Sequence, residues 1–484
     1  MTETRTGFSP RLLREASGLA ALVGALFLAG CAWNDLSVGN PGALVGELPE
    51  RWTGGSQAIP GAAATGWLDD FGNPKLRDLV DEAVESNYDL SASIARVFQA
   101  RERAEIAGAD RLPTLDAGLR TSRSQNLRGA SFQTVRSNSF NFSLDFAWEV
   151  DLWGRIKNLR DAEIDRFRAE ANFYESSRLS LAANVAKTAF EIVESRQQIA
   201  LARRTLASLR TNLEILDAKL EAGDADDRTP LDISLSRADI ARAQSNILVE
   251  QRQLDASKRT LETLLGRYPS GTVEAISSLP QISRNVPAGL PSELLLRRPD
   301  LLASESQVDA ALKELVASRK ALLPSIAITA SGGTATTEDF GDLFNIQNLV
   351  WNIGQNLTQP LYRGGRLRAE VRLDEHERKE LVSTYADTAL EAFREVETAL
   401  AAERYLVGQV EALSTAVEEA RRAEDLSLSQ YEEGLVEILT LLESQRRAFE
   451  SESALLAVKL QLLSNRVDLY LALGGDFDHP LVTK

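Results

Sequence analysis

The stretch whose reading decides the fold is "FNFSLDFAWEV", residues 140–150. Phe140, Phe142, Leu144, Phe146, Trp148 and Val150 alternate with Asn141, Ser143, Asp145, Ala147 and Glu149. A period of two places the first set on one face of a β-strand and the second on the other. The run is long enough to cross a bilayer, for which a tilted strand needs about 9–11 residues. "LVWNIGQNLTQ" (349–359) repeats the pattern with Leu349, Trp351, Ile353 and Leu357, and weaker partners lie at 113–123 and 324–332. The lipid-facing set is therefore expected to be Phe140, Phe142, Leu144, Phe146, Trp148 and Trp351. Trp148 and Trp351 fall near opposite ends of antiparallel strands, where aromatic girdles meet lipid head groups. A soluble hairpin packed on helices would alternate too, so the surroundings of the strands must decide.

Working outward, the chain is written twice. "LPTLDA" (112–117) has a counterpart in "LPSIAI" (323–328), and "WGR" (153–155) in "GGR" (364–366), both at a shift of 211 residues. Asp89-Leu90 matches Asp300-Leu301 and Gly223 matches Gly434 at the same shift. Later it drops to 208, since Leu231 pairs with Leu439 and Leu265-Gly266 with Leu473-Gly474. A longer "GDADDRTP" turn in the first half accounts for the difference. A constant offset over so many landmarks marks a duplicated segment.

Each half reads helix, strand, strand, long helix, long helix. Between Arg155 and Ala222 there is neither Gly nor Pro, and between Arg366 and Glu433 there is only Gly408. Helices of that length run to about 100 Å at 1.5 Å per residue and must pack side by side. Leu206, Leu209, Leu213, Leu216 and Leu220 step by three and four, the seam spacing of a coiled coil. Ile233, Ile240, Ile247, Leu254 and Leu261 recur every seventh residue on the returning helix, as do Leu441, Ala448, Leu455, Leu462 and Leu469 in the second half. An antiparallel coiled-coil protein would show these seams as well, but it needs no strands with one apolar face. Four strands cannot close a barrel, for which about eight are required. An open sheet in lipid leaves two unpaired edges, which lipid does not tolerate. Several copies must share one barrel.

The N-terminus sets the compartment. Arg5, Arg11 and Arg14 precede an apolar run, Leu19 to Leu28, and Ala29 and Gly30 follow as small residues. That is the pattern of a secretory signal, too short for a spanning helix of about 20 residues. Leu28-Ala29-Gly30-Cys31 resembles a bacterial lipobox, which implies that Cys31, the single cysteine, carries a covalent lipid such as palmitate. Ala32 behind it implies export to the outer membrane. One cysteine and two histidines, His376 and His479, leave little for a disulfide or a metal site. The formal net charge of −16 argues against nucleic acid, whose backbone needs a basic face. After Cys31 no run of 18 apolar residues occurs, so any membrane crossing must be a closed β-barrel.

"WEVDLWGRI" (148–156), "GLPSELLLRRPDL" (289–301), "LPSIAITASGG" (323–333), "QPLYRGGRLRAE" (359–370) and "ALGG" (472–475) resemble the TolC-like outer membrane factors. The likeness runs from about Trp67 to Gly475 and is nearest to the lipoprotein (NodT-type) subfamily serving resistance-nodulation-division efflux pumps. It implies a homotrimer in the outer membrane, with a twelve-stranded barrel continued by an α-helical barrel across the periplasm. It also implies a periplasmic adaptor (membrane fusion) protein and an inner-membrane pump of that class as partners. One departure stands out: "AGDADDRTPLD" (222–232) is longer than the compact Gly-x-x-x-x-Leu-Asp turn usual in the family. By the same resemblance "EEGLVEILTLLESQRR" (432–447) is the periplasmic gate. Leu439 would form an apolar constriction, Glu443 an acidic ring, and Arg446 a partner locking neighbouring helices. Leu231, Leu235 and Ala238 hold the matching places in the first half, so the charges occur once.

The expected organisation is a lipoprotein signal peptide (1–30), a lipid-anchored arm (31–70), a first repeat (71–290), a second repeat (291–475) and a tail (476–484). Strands are expected at about 113–124, 138–150, 324–334 and 349–360. Long helices are expected at about 155–222, 231–265, 365–433 and 436–473. No catalytic residue, metal or cofactor is expected beyond the lipid on Cys31. "GGR" (364–366) lacks the Gly-Lys-Ser/Thr of a phosphate loop, and His376 reads as a helix-surface residue. The function so read is the outer-membrane channel of a tripartite efflux pump, a passive conduit for small molecules. A type I protein secretion conduit and a lipid-anchored coiled-coil adaptor without a pore are the alternatives.

Overall fold

The computed structural model describes residues 49, 52–54, 66–128, 133–223, 229–282, 286 and 291–475. The signal peptide, Cys31 with most of the arm, the Asp224–Asp227 turn and the tail lie outside them. In chain order the elements are α1 (Pro74–Ser86), α2 (Tyr88–Ala109), β1 (Thr114–Arg128), β2 (Gln133–Val150), α3 (Arg155–Ala222) and α4 (Thr229–Leu264), followed by α5 (Pro299–Lys320), β3 (Ser325–Thr336), β4 (Leu349–Thr358), α6 (Arg366–Glu432) and α7 (Ile438–Ala472). The duplication is legible in these bounds. α2 and α5 are both 22 residues long, and α3 and α6 start 211 positions apart, at 155 and 366. α4 and α7 end 208 apart, at 264 and 472, so the difference arises at the tip.

Local chemistry places the ends. Asn73 accepts from Leu76 N ahead of Pro74, and Asn87 from Leu90 N at 2.9 Å, two N-caps of the ordinary kind. α3 starts behind Gly154 (φ 72°) with Asp151 accepting from Ile156 N at 3.1 Å and Lys157 N at 2.7 Å, and it ends at Gly223 (φ 78°). α6 starts behind Gly365 (φ 83°). That left-handed backbone explains the glycines of "WGR" and "GGR" without any phosphate.

Each long helix is covered in two sections. The sheet-proximal part of α3 packs against the short helices α2 and α5 and that of α6 against α5, while the distal parts pair with the returning helices, α4 on α3 and α7 on α6. Where the sections meet, one core gathers Trp52, Trp67, Phe71, Leu76, Phe190, Leu261, Leu301, Val396 and Tyr470. Trp67 stacks on Tyr470 at 5.9 Å, bringing the stretch before α1 against the end of α7. A second core, Leu206, Leu209, Leu216, Ile233, Ile247, Ile438, Leu441 and Leu442, fills the distal coil. These are the seams read from the sequence. Leu220 departs from them and is exposed, because it lies in the last turn of α3 beyond the packed seam.

The sheet is fully antiparallel in the order β1-β2-β3-β4. β1 and β2 form a hairpin longer than the alternation suggested, reaching Arg128 and Gln133, because its upper part is polar on both faces. β3 and β4 are joined through two 3₁₀ turns, Phe340–Phe344 and Ile346–Asn348, which the strand pattern did not announce.

Candidate functional site: the two-faced sheet and the coil tips

Cross-strand partners share a face, so the register sorts every strand residue. One row runs Leu115–Phe146–Ala330–Ile353, the next Ala117–Leu144–Gly332–Trp351, the next Leu119–Phe142–Thr334–Leu349. On the opposite face stand Asp116–Asp145–Ser331–Asn352 and Arg120–Asn141–Ala335. Asp145 accepts from Ser331 Oγ at 2.7 Å and Ser143 Oγ at 2.9 Å, a polar network confined to that face. Gly333 is required where it stands, since a Cβ there would lie 1.9 Å from the Phe142 carbonyl.

The apolar face has defined limits. From Val150 to Phe140 it spans about 33 Å along the strand, or about 25 Å at a typical barrel tilt, the height of an outer-membrane apolar band. Above Phe140 the same face turns polar at the Arg123–Asn138 pair. Phe142 and Leu144 are 42% and 45% exposed and Trp351 72%, whereas Phe140, Phe146 and Trp148 are half-buried. Trp148 keeps its Nε1–H bonded to the Arg111 carbonyl at 2.9 Å, at the lower edge of the sheet. The girdle expectation needs correction. Trp148 is level with Ile328 and Gln355, only four residues, or about 13 Å, along β4 from Trp351. β4 has 10 residues against 18 in β2, so its start lies well short of the hairpin's top and the two indoles are too close to mark both rims.

Below the sheet, side chains tie the junction of β2 and α3 to the start of β3 and to β2 itself. Trp153 Nε1 donates to the Pro324 carbonyl at 2.7 Å, and Arg155 pairs with Glu149 at 2.8 Å.

At the far end of the coil, the gate residues come together on one helix. Leu439 is 46% exposed. Glu443 accepts from Arg446 at 2.7 Å and from Arg447 at 2.7 Å, and Arg446 also reaches Glu450 at 2.7 Å. All four charged groups belong to α7. Within one protomer the Glu443–Arg446 pair therefore spans a single turn rather than two helices, because a spacing of three brings the side chains face to face. Hydrogen bonds from Arg447 and then Arg446 hold the Glu443 carboxyl below the usual carboxylate range. Beside them a groove of about 320 Å³ is lined by Leu235, Leu439, Leu442, Glu443, Arg446 and Phe449.

Sequence reasoning missed what ties the helices together. Gln445, 4% exposed, accepts from Asn212 Nδ2 at 2.8 Å and donates to Ser208 Oγ at 2.7 Å, bridging α7 to α3. Glu452 sits between Arg421 of α6 and Arg204 of α3, at 2.7 and 2.9 Å. The signal was present as polar residues amid the apolar seam between Leu441 and Ala448. His376 lies exposed on α6, as expected of a surface residue.

The chain matches the outer membrane efflux protein family over residues 79–267 and 290–475. It is 32% identical to the pyoverdine export outer membrane protein OpmQ of Pseudomonas putida over 87% of this chain and 89% of that one. It is also 32% identical to the outer membrane protein OprJ of Pseudomonas aeruginosa, over 96% and 97%. The CmeC outer membrane channel of Campylobacter jejuni has the same fold, with a TM-score of 0.85 at 22% identity over 91% of this chain and 94% of that chain. Outer membrane factors are trimeric channels that work with an adaptor and an inner-membrane pump, so the four-stranded sheet is one third of a twelve-stranded barrel continued by an α-helical tunnel. The chain belongs to the outer membrane efflux protein family and is the outer-membrane channel of a tripartite efflux pump, a passive conduit and not an enzyme.

Proposed function

We propose that this channel serves a pump of the resistance-nodulation-division class, reached through a periplasmic adaptor, and that it is anchored in the outer membrane by lipid on Cys31 as well as by its barrel. The observation that carries the conduit is the sheet, whose apolar and polar faces persist in register across all four strands. Such a sheet suits a wall with lipid outside and water inside. The anchor rests on the signal-like run ending in Leu28-Ala29-Gly30-Cys31. Metabolic labelling with palmitate tests it: the parent takes label and Cys31→Ser does not, while retained label in the variant refutes the anchor.

Leu439, Glu443 and Arg446 gate the periplasmic end in this reading. Its support is the restriction of the charges to the second repeat and their exposure at the tip, where facing protomers can meet them. Like charges and apolar rings at a narrow end control selectivity and closure. Planar-bilayer recording of the purified protein tests conduit and gate together. Discrete openings of low probability are expected, and a protein that never conducts would leave the coiled-coil scaffold as its role.

A further inference from the structure

The N-terminal arm meets the body of the protein at Trp52, Thr53 and Gly54, and each of the three engages α6. Trp52 is 5% exposed, with its ring 6.2 Å from that of Phe393. Thr53 N donates to one carboxylate oxygen of Glu397 at 2.8 Å and Gly54 N to the other at 2.5 Å. A Cβ on Gly54 would stand 2.5 Å from the Glu397 carbonyl and 3.3 Å from Ala401 N, so the contact requires glycine. An aromatic ring, two charge-assisted hydrogen bonds and a close backbone approach make a specific seat.

The duplication gives this seat a reason. At the shift of 211, Phe393, Glu397 and Leu400 of α6 answer to Ala182, Ala186 and Ala189 of α3. Those alanines are all 0% exposed and share a core with Leu76, Val80 and Ala83 of α1, which packs on α3. The positions equivalent to α1 are 285–297. Among their described residues only the turn Pro291–Leu294 is helical, with Leu294 buried. Among the described residues, then, α6 has no counterpart of the helix that covers α3, and it carries a ring and a carboxylate where α3 carries methyl groups.

We infer that Phe393, Glu397 and the Ala401 backbone form a binding site for the chain's own N-terminal arm, and that Trp52-Thr53-Gly54 straps the second repeat on the face that answers to the α1-covered face of α3. The strap fastens the arm to the helix that runs on to the charged tip. It needs neither the lipid nor the choice of pump.

The test uses the full-length protein in detergent, with trypsin and mass spectrometry following cleavage of the Arg51–Trp52 bond. The parent is expected to be cut slowly, because Trp52 is seated. Gly54→Ala, which alters only the arm, and Glu397→Ala, which alters only the seat, should each speed the cut by about tenfold or more, as loss of charge-assisted hydrogen bonds does. Glu397→Gln, keeping one acceptor oxygen, should fall between. Glu391→Ala, which removes an exposed partner of Arg394 on the same helix, should leave the rate unchanged. Heat-resistant oligomers on mild gels should persist in Gly54→Ala, separating strap release from unfolding. Parent cleavage as fast as that of Glu397→Ala, or no acceleration in Gly54→Ala, overturns the strap.

Discussion

In the sheet, Phe146 from the first repeat and Ile353 from the second stand in one row of the apolar face, with Ala330 between them. At the tips the same two repeats part company: Glu443 and Arg446 occupy the places of Leu235 and Ala238. The difference follows from the surroundings. Lipid imposes one rule on the outward strand positions, whichever repeat supplies them, and Gln355, level with Trp148, departs from it. At the tip no such rule acts, and duplicated helices are free to take different tasks. The second tip also turns a buried polar group inward at Gln445, where the first has exposed Arg237 loosely paired with Asp217 at 3.8 Å.

The largest effect should come from breaking the rule in the sheet. Phe146→Arg puts a charge on the lipid face at a cost of about 2–4 kcal/mol per copy near the midplane. In a trimer every protomer carries the defect, so heat-stable oligomers should vanish from mild gels. Asn141→Arg, on the polar face, should leave them intact, and equal damage from both would undo the assignment of faces.

A smaller effect tests the tip. Gln445→Leu leaves the buried Asn212 amide without its acceptor, which costs about 1–3 kcal/mol. Amide exchange should accelerate in the distal parts of α3 and α7. Arg237→Ala, its counterpart in the first repeat, should stay within about 0.5 kcal/mol of the parent, as exposed substitutions do. Similar losses from both would mean that the tips are packed alike.

Acid offers a finer comparison. The hydrogen bond from Arg421, opposed by burial and reinforced by Arg204, holds the Glu452 carboxyl below the usual range. A depressed carboxylate contributes stability that is present above its unfolded value, about 4.3, and lost as pH falls through the folded one. The contribution of Glu452 to the melting of the distal coil should therefore be constant from neutrality to about pH 5 and fall away below about pH 4. In Glu452→Gln the contribution of this group to that slope should disappear.

The smallest change in stability should carry the most information about function. Glu443→Ala and Arg446→Ala remove exposed pairs within α7, so melting should barely move while basal conductance rises. The double variant should open little beyond either single where the pair they share holds the closed state, and further where the separate contacts to Arg447 and Glu450 do. Leu439→Ser should add to them and depend less on salt, because it wets an apolar ring instead of breaking an ion pair. Single-channel recordings of the four variants decide this, and parental conductance in Glu443→Ala would move the gate elsewhere.

Much of this molecule was legible because its solvent and its periodicities write directly into the chain. Alternation from Phe140 to Val150, seams such as Ile233 to Leu261, the offset of 211 and the need for several copies follow from residue spacing and from the intolerance of lipid for open edges. Tertiary structure alone decided which distant residues meet. The pairing of Asn212 with Gln445, the seating of Trp52 and Gly54 on Phe393 and Glu397, and the level of Trp351 against Trp148 depend on register and crossing between elements hundreds of residues apart. The Glu443–Arg446 pair shows the same limit, since spacing allows a contact within α7 or a lock between helices, and the folded chain satisfies it within one turn. Periodicity tells which face of an element is buried; only packing tells what it is buried against.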